Sequence, residues 1–328
     1  MVIHRSAHLQ KTGHGIVFVV LLALFCFHPF PALAETEPQS LPTSPKVMEA
    51  AFFTAKEPPI PPGDQQKKST NPPDIQRIVE RGELIVAMYH RDTPPFYYRN
   101  AEGNMDGIDV RLITGFAKQM GVGVRFERSA KTFTEVVDRV ATHQADLAIS
   151  KLGMTFARAM RIRYSQPYIH LRQALLMNRL VLAGRSGGGD RSEIIRNLDG
   201  KLGVIARSSY VDNARIRFKK ATIVEFDTWN EAVEAATRGE IMAAYRDEVE
   251  VKTVARDHPH KALRLLTVVL TDAKDPKAII TPWDSPNLLA LVDFYLHSLD
   301  LNLTGDQILN HYDEVIEKID SKIKDVIR

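Results

Sequence analysis

The sequence predicts an α/β protein in which helices cover two sheets. Short apolar strand-like runs alternate with amphipathic helical stripes from Glu83 to the C-terminal region. About 254 residues follow Asp74, enough for two modest lobes with their own cores. No internal repeat is visible, and after residue 34 no apolar stretch approaches membrane-spanning length.

The elements read in order. Glu83–Tyr89 is a strand, and Ile108, Leu112, Phe116 and Met120 mark one helical face. Val122–Phe126 is the next strand. Thr132 and Glu135 form a capping box ahead of the helical stripe Phe133, Val136, Val137 and Val140. Asp146–Ser150 is a third strand, and Gln173–Asn178 begins a segment that crosses to the second lobe. Arg185–Arg191, with three consecutive glycines, reads as a loop. Strand Leu202–Ile205, helix Tyr210–Lys219, strand Ala221–Phe226, helix Trp229–Arg238 and strand Met242–Tyr245 repeat the alternation. Leu263–Leu270 crosses back, and Ser285–Leu299 and Thr304–Ile327 are amphipathic helices completing the first lobe.

The N-terminus has a different character. Residues 1–34 hold Arg5 and Lys11, no acidic residue, an apolar run from Ile16 to Phe27 and a small-x-small Ala32-Leu33-Ala34. That is the pattern of a removable secretory signal, too short to span a bilayer comfortably. Cys26, the one cysteine, lies inside the run, so a mature chain would carry no disulfide. Residues 35–74 hold nine of the eighteen prolines, with few apolar residues besides Phe52 and Phe53, and read as an extended tether. Without Arg5 and Lys11 the chain has 41 basic and 40 acidic residues and no basic block, which gives no support to nucleic-acid binding.

The stretch Ser150–Tyr168, SKLGMTFARAMRIRYSQPY, carries the most chemistry. It leaves the Asp146–Ser150 strand, offers Thr155 as a cap and places Arg158 three residues on. A guanidinium fork beside free backbone N–H groups is a receptor for a planar carboxylate. Arg161, Arg163 and Arg172 lie nearby, so on residue type alone Arg158 reads as one more solvated arginine.

The ordered motifs around it resemble the family 3 extracellular solute-binding proteins, the type II periplasmic receptors for polar amino acids. The carriers are GELIVAMY, TPPFYYRNAEG, MDGIDVRLITGFAKQMGV, Gly153-x-Thr155-x-x-Arg158 with its Ser165, Pro167, Tyr168 exit, DGKLGVIARSSYVDNA and GEIMAAYRDEVEV, spanning roughly Ile75 to Tyr312. The resemblance implies a two-lobed type II periplasmic-binding-protein fold with two crossing hinge segments and the ligand in the cleft. Lobe 1 is expected at 75–173 plus 271–328 and lobe 2 at 174–270. It implies a monomeric periplasmic receptor, not an enzyme, with no cofactor and no metal. Such a receptor delivers an amino acid or dicarboxylate to the permease of an ABC transporter.

By the same resemblance, Arg158 holds the ligand carboxylate with backbone support near Gly153 and Thr155. Ser208 and Ser209 meet it from the second lobe, Asp247 pairs the ligand ammonium, and Phe133 walls the cleft. For Asp247 a helix N-cap is an equal use, and for Phe133 a plain core position. Phe96, Tyr97 and Tyr98 offer further aromatic walls. Departures from the family pattern are Arg207 in place of a usual glycine, Lys151 in place of a small or polar residue, Arg111 where an acid is common, and Thr93 near an aromatic platform. Arg207 and Lys151 suit a second ligand carboxylate, or simple solvation.

The alternative of another class is a periplasmic cyclohexadienyl or arogenate-type dehydratase on this fold, with Glu250, three residues after Asp247, as general acid. A surface pairing of Glu250 with Lys252 or Arg256 is the plainer reading. A sensor domain or lytic-enzyme module of the same fold is a third possibility. His258, His260 and Asp257 resemble a metal cluster in residue type only.

Overall fold

The computed structural model describes residues 70–186 and 191–326, all within the compact unit Gln65–Arg328. The expected signal, nearly all of the expected tether and the triple glycine lie outside the described residues.

Helix α1 (Pro73–Arg81) precedes β1 (Glu83–Tyr89), and β2 (Tyr98–Arg99) pairs with β3 (Met105–Asp106) as a small hairpin. Then come α2 (Ile108–Gln119), β4 (Gly123–Ala130), α3 (Phe133–Ala141), β5 (Leu147–Ala148) and the single turn α4 (Phe156–Ala159). The long β6 (Ile162–Asn178) leads to α5 (Arg179–Ser186), α6 (Arg191–Arg196), β7 (Lys201–Ile205), α7 (Ser209–Arg217) and β8 (Thr222–Phe226). Next are α8 (Trp229–Arg238), β9 (Ala243–Asp247), α9 (Glu248–Asp257), α10 (Pro259–Ala262) and the long β10 (Leu265–Pro282). The chain closes with α11 (Pro286–Leu299), β11 (Leu303–Thr304), α12 (Gly305–Asn310) and α13 (Tyr312–Val326).

The strands form one sheet in the order β4-β1-β5-β10-β6-β9-β7-β8, with β11 beside β6. Strands β4, β1 and β5 are mutually parallel, as are β8, β7 and β9. The antiparallel pair β6–β10 joins these two halves, running from Ile162↔Pro282 to Asn178↔Leu265 with a register break between Val269 and Lys274. Two 17- and 18-residue strands therefore cross between the halves. Parallel strands covered on both faces are apolar in their interior, as residues 202–205 of β7 and 243–245 of β9 are, while Arg246 and Asp247 end β9 as buried charges.

The core divides accordingly. Leu84, Val86, Phe116, Val137, Leu147 and Val292 belong to one cluster, under α2, α3 and α11. Leu175, Leu202, Tyr210 and Tyr245 belong to a second, and Leu176, Val233, Ala244 and Val251 to a third on the opposite face of the β9 region.

Several elements differ from the sequence expectation. The crossing strand begins at Ile162, not Gln173, because polar residues on it face other elements: Gln166 N–H donates to Asp293 at 2.7 Å. Helix α1 was not expected, since its prolines suit a tether as well as a helix start. Asp74 is buried there and accepts from the N–H groups of Asn287 and Leu288 at 3.0 Å, capping α11. The single C-terminal helix is two, α12 and α13, broken at His311. Ordered helices α5 and α6 flank the glycine run, and no described helix is long and apolar enough to cross a membrane.

Candidate functional site

The site forms where the β5–α4 segment meets the starts of α7 and α9 and the middle of β10. After β5 the chain turns sharply at Lys151, whose φ of +49° is the left-handed region that a lysine rarely occupies. Asp109, on the first turn of α2, holds that turn by accepting the Lys151 N–H at 2.8 Å. Thr155 then caps α4, accepting the Arg158 N–H at 3.3 Å. The Arg158 guanidinium folds back and donates to Gly153 O at 3.1 Å. Among the described residues no carboxylate lies at ion-pair distance from Arg158. Burial pulls its pKa below the ordinary value, with Tyr164 and Asp212 opposing.

Opposite stands the N-terminus of α7. Gly153 and Ser209 are so close that a Cβ on Gly153 would lie 2.5 Å from Ser209 Oγ. Ser208 donates its hydroxyl to Ile205 O at 2.6 Å and does not cap α7. A narrow cleft with room for little more than one water is lined by Phe133, Lys151, Gly153, Arg158, Ser208, Ser209, Tyr210 and Arg246. Phe133 stacks on Tyr89 at 4.6 Å between ring centroids, so it belongs to the core and to the cavity wall together.

Arg207 is elsewhere. It lines an adjoining, wider cavity with His90, Arg91, Lys131 and Asp227. Its side chain is 67% exposed, its NH1 lies 4.0 Å from Glu135, and its carbonyl accepts from Thr134 Oγ1 at 3.0 Å.

Beside the narrow cavity lies a fully packed charge network. Asp247 has no exposed surface and caps α9, with Oδ1 accepting the Glu250 N–H at 3.2 Å. Its Oδ2 is 3.0 Å from Lys151 Nζ, 3.1 Å from the Tyr210 hydroxyl and 3.9 Å from Arg246 Nε. Burial alone would raise this carboxyl, but Lys151, Lys277 and Arg246 outweigh it and hold it well below the usual carboxylate range. Glu250 Oε1 lies 2.6 Å from Lys151 Nζ and 3.2 Å from Arg246 NH2. Lys151 therefore does not stand free for a second ligand carboxylate. Nor does Glu250 pair with Lys252 or Arg256: Lys252 serves Glu248 and Asp306, and Arg256 serves Asp257.

Strand β10 contributes Lys277, whose Nζ is 2.7 Å from Asp275 Oδ2 and 3.1 Å from the Tyr210 hydroxyl. Tyr210 lies within hydrogen-bond reach of both Asp275 (2.5 Å) and Asp247 (3.1 Å). Its one proton serves a single carboxylate at a time. Burial and those two carboxylates push the phenol far up, so it remains a neutral donor. Asp109 has its carboxyl pushed up to about 7 by burial, against the Lys151 N–H and the Tyr168 hydroxyl.

Sequence reasoning missed Tyr210, Arg246, Asp275 and Lys277. Arg246 adjoins Asp247 at the end of β9, a signal the sequence offered, whereas Asp275 and Lys277 lie in the polar middle of β10, beside Asp272 and Lys274, where nothing marks them as buried.

The model of the bacterial extracellular solute-binding proteins, family 3, matches residues 85–315. The chain belongs to that family. An ancestral amino-acid-binding protein described as a precursor of cyclohexadienyl dehydratase superimposes with a TM-score of 0.56 at 23% identity. That match covers 74% of this chain and 97% of that one, and it establishes the two-lobed fold. A glutamine-binding protein from Geobacillus stearothermophilus is 23% identical over 190 residues, 57% of this chain and 69% of that protein. Membrane-bound lytic murein transglycosylase F from Saccharophagus degradans is 29% identical over 145 residues, 44% of this chain. The match spans only 26% of that enzyme's length. It nevertheless overturns the expectation that the chain is not an enzyme, because proteins carrying this module include one.

Proposed function

We propose that the chain is a periplasmic receptor that closes on a small carboxylate-bearing, amino-acid-like solute and hands it to a membrane permease. In this reading residues 1–34 direct export and 35–74 form a spacer. Lobe 1 (75–173 with 271–328) and lobe 2 (174–270) close about β6 and β10. The observation that carries it is Arg158, half-buried in the cleft wall with no ion-pair partner among the described residues. A partly desolvated guanidinium without a counter-charge is open to an anion, and a ligand carboxylate would pair it bidentately. Gly153, Thr155, Ser208 and Ser209 surround that position, and Phe133 flanks it. The Geobacillus relative, named for glutamine binding, supports a ligand of amino-acid size.

Thermal-shift screening of the mature protein against amino acids, 2-oxo acids and dicarboxylates tests the reading, since a ligand that binds only the folded state raises the melting temperature. A rise with at least one carboxylate that disappears in Arg158→Ala is expected. No rise across the panel contradicts it.

The position of Glu250 favours a second reading. Its carboxylate pairs with Lys151 and Arg246, both of which line the narrow cleft, so a carboxyl there stands one residue behind the cleft wall. Incubation with prephenate and a watch for an ultraviolet-absorbing aromatic product tests dehydratase activity, and loss of turnover in Glu250→Gln would assign the residue.

A further inference from the structure

Asp247 is the carboxylate expected to receive a ligand ammonium, and in this chain an ammonium is already there. Lys151 Nζ lies 3.0 Å from Asp247 Oδ2 and 2.6 Å from Glu250 Oε1, and 4.4 Å from the centre of the Phe96 ring. Two carboxylates and an aromatic face make a cage for a cation. The lysine side chain is 4% exposed and its partner Asp247 is wholly buried. The lysine reaches the cage from a left-handed backbone position that Asp109 holds in place. Such strain persists only where the surrounding structure enforces it.

The pairing inventory points the same way. Asp247 has Lys151, Tyr210, Arg246 and the Glu250 N–H on its two oxygens. Glu250 has Lys151 and Arg246, and Asp275 has Lys277 and Tyr210. Each of the three carboxylates is taken. Of the four cations facing the cavity region, Arg158 alone has no carboxylate partner among the described residues. The open valence of the site is for an anion, not for a cation.

We propose that Lys151 supplies from within the chain the ammonium that an α-amino acid would bring to Asp247, so the cleft selects carboxylates that lack an α-ammonium. This rests on the carboxylate-receptor reading above and narrows its ligand class to 2-oxo acids, 2-hydroxy acids and simple carboxylates. An entering ammonium would sit beside a buried like charge, or would have to displace Lys151 from its two carboxylate partners.

The test is calorimetry of the mature protein with matched pairs that differ only at C2: 2-oxoglutarate with L-glutamate, 4-methyl-2-oxopentanoate with L-leucine, and pyruvate with L-alanine. Wild type is expected to bind the oxo member of at least one pair on the order of 100-fold more tightly than its amino-acid partner. Lys151→Ser, which empties the cage, should narrow or reverse that ratio. Lys151→Met, which keeps side-chain length, serves if the serine variant fails to fold by circular dichroism. Wild type binding the amino acid as tightly as its oxo partner overturns the inference and leaves the receptor reading standing. Amino-acid binding gained only in the Lys151 variants, with no wild-type ligand, overturns the selectivity while keeping Lys151 as occupant of the amine position. Binding of no member by wild type or variants overturns the receptor reading itself, and this inference with it.

Discussion

Replacing Lys277 with methionine removes one charge from a fully buried ion pair beside the cleft. Its side chain is 1% exposed and that of Asp275 is 3%, with Nζ 2.7 Å from Oδ2. Methionine is close in length, so no large void follows. The loss is electrostatic: Asp275 keeps the Tyr210 hydroxyl at 2.5 Å but has no cation at contact distance. Breaking a buried pair by removing one partner costs about 3–5 kcal/mol. Domains of this kind have roughly 5–15 kcal/mol in total. The melting temperature should therefore fall by about 10 °C. Urea unfolding followed by far-UV circular dichroism measures the loss directly. The companion Lys277→Met/Asp275→Asn removes the stranded charge, and Tyr210 can still donate to the new amide oxygen, so most of the stability should return. A single variant that loses less than about 1 kcal/mol, or a double variant no better than the single, would refute the reasoning.

Two further predictions concern the same region. Asp109 titrates at about 7 in the folded protein against 3.8 for the free group, so the fold binds its proton more tightly than the unfolded chain does. Stability from this group is full below about pH 4 and is lost as pH rises through 7, by up to about 4 kcal/mol. Asp109→Asn should flatten that part of the stability–pH curve, and an unchanged curve in urea melts would contradict it. Gly153 has an ordinary backbone conformation, so an added Cβ acts only through its contact with Ser209. Gly153→Ala should weaken ligand binding about tenfold with little loss of stability, and Gly153→Ala/Ser209→Gly should restore it. Equal affinity in wild type and Gly153→Ala, by calorimetry, would contradict that close approach.

Sequence alone disclosed the alternation of strands and helices because β1, α2, α3, β7 and α8 each bury one periodic face. Thr132 and Thr228 signal helix starts through local hydrogen bonds that need no distant partner. The long crossing strands were less legible. β6 carries Arg163, Gln166 and Arg172 at positions that face solvent or other elements, which breaks the apolar pattern. Of the cleft, the local motif around Arg158 and the cap at Asp247 could be read in the chain. The partnership of Lys151 with Asp247 and Glu250 could not, because it joins residues about 100 positions apart. Lys277 and Asp275 were hidden for the same reason: a charge in a strand reads as solvated until the facing Tyr210 is placed.

The most direct measurement of the central claim is titration of wild type, Arg158→Ala and Arg158→Lys with a carboxylate that raises the wild-type melting temperature. Removing a buried charge-assisted contact costs roughly 2–5 kcal/mol, so Arg158→Ala should bind on the order of 30-fold or more weakly. Arg158→Lys should recover only part, since a point charge cannot reproduce the planar fork. Wild-type affinity in Arg158→Ala would contradict the account, because the ligand would then be held somewhere other than at this arginine.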